Sequence, residues 1–129
     1  MSLQKRTYTE AAGDSLFASN GVKSIPADGY TLAAAVTGVL PRGLPLKQGA
    51  TAFELVPATA DADAVVGVLA DETDVTVSRA VAAYQEGEFN KYAIQRALTA
   101  YGSEATVEGL TLLARNRGIY FKDVIKSVG

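Results

Sequence analysis

Three prolines, Pro41, Pro45 and Pro57, fall inside the stretch from residue 30 to residue 57. Proline has no N–H to donate and its ring clashes with the preceding helical turn, so a continuous helix is excluded there. The apolar stretches that the prolines leave are short: "YTLAAAVTGVL", "LPLK" and "TAFELV". Each suits a strand that starts, ends or borders on a proline. "KQGA" reads as the tight turn between the second and third of these, and the alternation of Phe53 and Leu55 against Glu54 predicts one inward face. "AVVGVLA" follows as a compact buried strand, with Gly67 marking a bulge, a bend or a close backbone neighbour. "RAVAAY" and "EFNKYAI" then predict a hairpin with Gly87 at its tip in a positive-φ conformation, and Tyr84 paired with Phe89 across it.

The last third changes period. In "AIQRALTAYG" the apolar residues Ile94, Ala97, Leu98 and Tyr101 recur at helical spacing, and Gly102 closes the run. "TVEGLTLLARNRG" repeats the arrangement, with Thr106 as N-cap, arginines at the C-terminal end and Gly118 as the stop. "IYFKDVIKSV" predicts a final strand. Strands first and helices after define an α+β body over residues 30–129, rich in β-structure, with one or two short helices. Residues 1–29 show no sustained period and carry turn formers at Gly13, Asn20-Gly21 and Asp28-Gly29. We read them as an extended arm. Its apolar residues Leu3, Tyr8, Leu16, Phe17, Val22 and Ile25 need a surface to lie on, either the chain's own domain or, in the preferred reading, a partner.

Composition limits the chemistry. The chain has no His and no Cys, which removes histidine triads, zinc sites of the usual kind, disulfides and thiolate chemistry. A formal net charge of -2 supplies no general attraction to nucleic acid or anionic membrane. No apolar run reaches the length of a bilayer span, and no secretory leader is recognisable, so a soluble, cytoplasm-compatible protein is expected. Between Lys47 and Arg79 every charged residue is acidic: Glu54, Asp61, Asp63, Asp71, Glu72 and Asp74. Neither the glycine nor the terminal glutamate of an EF-hand loop is in place, so solvated loop charge is the expectation and no metal or other cofactor is assigned. No nucleophile elbow, P-loop or dinucleotide fingerprint is present, and a non-enzymatic role is expected. The basic group Arg115, Arg117, Lys122 and Lys126 either complements a helix end or meets an acidic surface on another copy or partner.

Residues 45–94 resemble the small head decoration proteins of tailed bacteriophages, the lambda type that cements a mature capsid. The resemblance runs through Pro45-Leu46, the short strand from Phe53 to Val56, the loop 58–64, the strand from Val65 to Ala70, and Tyr84, Gly87 and Phe89 in the "Y-x-x-G-x-F" motif. It implies a structural virion protein on the capsid exterior, present in the host cytoplasm during assembly. It implies the major capsid protein as partner, a homo-oligomer with a trimer favoured, and the arm residues as capsid contacts. Another virion component, such as a head fibre base or a tail protein, is the alternative. A small domain using the acidic loops for a metal or ligand is a further one.

Overall fold

In the computed structural model, residues 16–18 and 26–123 are described. Five strands close a barrel in the order β1 (Pro26–Leu32), β4 (Glu54–Pro57), β3 (Pro45–Gln48), β5 (Gly67–Leu69), β7 (Ala80–Tyr84). Only the β1–β4 pair is parallel; β3–β4, β3–β5, β5–β7 and β1–β7 are antiparallel. Closure gives every barrel strand a partner on each side. A two-stranded clip, β2 (Val39–Leu40) with β6 (Thr73–Asp74), sits beside it.

The expected α+β body with two short helices is found. Helix α1 spans Lys91–Tyr101 and α2 spans Val107–Arg115. Asn90 caps α1 by accepting from the Tyr92 N–H, and Gly102 ends it in the left-handed region, with the Gly102 and Ser103 N–H groups returning to the Leu98 carbonyl. Thr106 caps α2 as its position in the sequence indicates, and Gln95 of α1 adds an acceptor for the Val107 N–H at 2.9 Å. The second helix therefore starts on a group that the first supplies.

The hairpin expected at residues 79–94 does not form. Strand β7 has both edges committed to β1 and β5, so the chain leaves the barrel and β8 (Gly87–Asn90) pairs in parallel with β9 (Ile119–Lys122). Parallel neighbours need a crossover, and α1 and α2 provide it. Lys91 to Ile94 lie in the helix, because the Asn90 cap ends the strand one residue earlier. Gly87 does adopt positive φ, +141°, as the connection turns away from β7.

One apolar core joins barrel and helices, with Leu32, Leu46, Leu55, Val68, Leu69 and Ala83 from the strands and Ile94, Leu98, Leu110 and Ala114 from the helices. Gly67 is needed for close approach: a Cβ there would lie 3.1 Å from Ala83 Cβ and 3.3 Å from the Tyr84 carbonyl oxygen. Phe53 departs from its expected inward place and is 67 % exposed, whereas Leu55 is 2 % exposed. The two share strand parity, but Phe53 falls in the turn before β4, where alternation no longer governs direction. Arg79 clamps the loop after β1, donating from Nη1 to the Ala33 carbonyl at 2.7 Å and the Val36 carbonyl at 2.9 Å.

Candidate partner-binding surface

Leu16 and Phe17, expected as partner contacts, are buried in the chain's own core at 3 % and 8 % exposure. Phe17 bridges antiparallel to Phe89, flanked by hydrogen bonds from the Ala18 N–H to the Glu88 carbonyl (3.1 Å) and from the Asn90 N–H to the Leu16 carbonyl (2.8 Å). Residues 16–18 thus add a short strand to the edge of β8 that β9 does not use. The physical reason is the socket. The Phe17 ring meets Tyr84 edge-on at 5.3 Å and Phe89 at 5.6 Å, and Arg42 lies over it at 5.8 Å. Arg42 also donates to the Ala70 carbonyl and to the Tyr84 hydroxyl. Leu16 fills the space beside Gly43, where a Cβ would come within 3.0 Å of Leu16 Cδ1 and φ is +94°.

The boundary drawn at residue 29 also moves, because Pro26 already begins barrel strand β1. Leu3, Tyr8, Val22 and Ile25 lie outside the described residues. The motif positions all fall on strands: Pro45 opens β3, Gly67 opens β5, Tyr84 ends β7, and Gly87 and Phe89 belong to β8. Tyr84 and Phe89 touch at 5.8 Å, as expected, although across a turn from barrel to ribbon and not across a hairpin. Arg42 and Gly43, which help form this seat, are not among the residues that the sequence singles out. The signal available was Arg-Gly in "PRGL" directly before a strand, and it did not name an occupant.

The ribbon formed by 16–18, β8 and β9 places Leu16 and Lys122 on opposite sides of Asn90. The chain therefore enters the described body at Leu16 and leaves it after Asp123 at one end of this ribbon, two strand spacings or roughly 10 Å apart. Around that end lie Tyr92, 54 % exposed, and Tyr120, with Lys91 and Lys122 against their rings at 5.4 and 5.8 Å. Two ion pairs cross it, Lys91–Asp123 at 2.9 Å and Lys122–Glu88 at 3.1 Å. The hydrogen bond from Lys91 holds the Asp123 carboxyl below its ordinary range, and the same contact raises Lys91. The surface is aromatic, and these charges are paired within the molecule. Of the basic group, Lys122 is so engaged, Arg115 lies in the last turn of α2, and Lys126 is outside the described residues.

The acidic loops stay apart. Among the described residues no three carboxylates converge on a point that could hold an ion. Asp61 and Asp74 are each depressed by a local partner, the Thr59 hydroxyl for the first and the Thr76 hydroxyl and N–H for the second. A cleft of about 130 Å³ has Gln48, Leu55, Val66, Ala83, Gln85 and Arg117 among its lining residues. No helix among the described residues is long and apolar enough to cross a membrane. No protein-family model matches the chain, and no curated protein matches it.

Proposed function

We propose that this chain is a structural virion protein that binds the outer surface of a phage capsid and stabilises the mature shell. Its partner is the major capsid protein, and copies group at symmetry positions, with a trimer as the expected grouping. The observation that carries the reading is that Leu16 and Lys122 stand on either side of Asn90, so that the described residues next to both terminal segments lie at one end of the ribbon. Residues 1–15 precede an anchored strand, and residues 124–129 follow Asp123 beside it. Segments attached side by side are both available to grip one surface, and repeated weak contacts add when an oligomer meets several subunits at once. The exposed tyrosines at that pole extend the same surface, since aromatic side chains supply contact area at little entropic cost. The resemblance of residues 45–94 to decoration proteins agrees with this use of the body as a rigid knob.

The test is deletion of residues 2–15, which spares Leu16 and Phe17. The truncated protein is expected to keep its cooperative unfolding and to lose co-sedimentation with expanded shells of its own phage. Binding equal to that of the full chain would overturn the proposal.

A further inference from the structure

The seat on β8 has the attributes of a strand-acceptor site. Main-chain hydrogen bonds on either side of the Phe17–Phe89 pair provide the ladder, and two side-chain pockets read the residues that arrive. One pocket is the space beside Gly43, closed below by Ala97, which lies 3.7 Å from where a Gly43 Cβ would stand; it takes Leu16. The other is the aromatic box of Tyr84 and Phe89 under Arg42, which takes Phe17. We propose that a second copy of this chain fills this site with its own residues 16–18, so that neighbouring copies exchange leaders.

Three observations support a partner of this kind. The occupant is known, because the site's chemistry is displayed by the segment that sits in it: an extended Leu-Phe pair, which every copy carries. The connection to the barrel has sufficient reach: residues 19–25 join Ala18 to Pro26, and eight such steps span at most about 26–29 Å. A body of about 100 residues has a radius of gyration near 13 Å, so that reach is comparable with the distance across an adjacent copy. Finally, the contacts described at the seat are local to it: the two main-chain hydrogen bonds and the ring contacts made by residues 16–18 can form whether the segment arrives from its own body or from another. In dilute solution the short connection favours the chain's own segment. On a shell, where neighbours face one another at an effective concentration on the order of 1 mM, exchange becomes competitive and links the copies. The inference rests on the proposed function for its setting and not for its test.

The Phe17–Phe89 site is a non-hydrogen-bonded antiparallel pair, where Cβ atoms approach closely enough for a disulfide. The chain has no native Cys to interfere. Full-length Phe17→Cys and Phe89→Cys proteins, carrying different tags, are mixed at about 1 mM and oxidised. The Phe17→Cys/Phe89→Cys double variant at low concentration shows that the bond closes within one chain. A Phe17→Cys and Thr99→Cys mixture, the latter on an exposed face of α1, measures random collision. Exchange predicts a disulfide-linked heterodimer at least tenfold above that control. A yield at the control level, with the double variant closing normally, overturns the proposal. If loss of either aromatic unfolds the protein, Ala18→Cys with Glu88→Cys, the next pair along the same bridge, repeats the experiment with both rings and Gly43 in place. Shell binding is not part of the readout, so failure here is distinguishable from failure of the proposed function.

Discussion

Phe17 and Phe89 face each other across an antiparallel bridge with ring centroids 5.6 Å apart and planes inclined by 29°. This contact ties a segment that precedes the barrel to the strand that follows it. It makes residues 16–18 part of the fold and limits the leader proper to what lies ahead of them.

Phe17→Ala is expected to cost about 3–5 kcal/mol, because it opens a cavity among Tyr84, Phe89 and Arg42. Urea unfolding measures it. A loss under about 0.5 kcal/mol, typical of an exposed site, would contradict the burial described.

Gly67→Ala is expected to destabilise by about 1–3 kcal/mol through crowding against Ala83 and the Tyr84 carbonyl. Adding Ala83→Gly removes the nearest obstructing atom. The double variant should therefore lose less than the sum of the single changes, and strict additivity in a double-mutant cycle would refute the close approach.

Arg79→Met leaves the Ala33 and Val36 carbonyls without their shared donor. The expected cost is about 1–3 kcal/mol, accompanied by faster amide exchange in residues 33–38. Unchanged exchange in that loop would show that the clamp is not what orders it.

Asp61, Asp74 and Asp123 all have carboxyls held below the ordinary range, by Thr59, Thr76 and Lys91 respectively. A depressed folded-state value means that the folded protein binds fewer protons than the unfolded chain as pH falls. The associated stability is present above about pH 4, the unfolded carboxylate value, and is lost as pH drops through the folded values. Lys91, raised by Asp123, acts in the opposite direction: its contribution holds below the ordinary lysine value and is lost as pH rises through the raised one. All four groups are solvent-exposed, so the effects are small and screened by salt. Chemical unfolding between pH 3 and pH 7 should show a decline on the acid side that is shallower in Asp74→Asn, with the Lys91–Asp123 part reduced in high salt. An Asp74→Asn profile parallel to that of the parent would remove Thr76 as the cause.

Helix caps and strand starts were legible because they depend on nearest neighbours. Thr106, Gly102 and Pro45 act within a few residues of where they stand, so their roles follow from local chemistry. The contact of Tyr84 with Phe89 was legible for the same reason. Phe53 was misplaced because alternation describes a strand, and the turn before β4 interrupts it.

What the amino-acid order determined by itself was the type and sequence of elements: short strands cut by prolines, then two capped helices and a last strand. Which edges meet was decided only in three dimensions. Closing the barrel uses both sides of β7, and this forces β8 away from its sequence neighbour and toward β9. The same rearrangement exposes the β8 edge that Leu16 and Phe17 occupy, with a gap at Gly43 contributed from the turn before β3. Periodicity specifies which face of a segment is apolar; only the competition among all available edges and cavities specifies what that face is buried against.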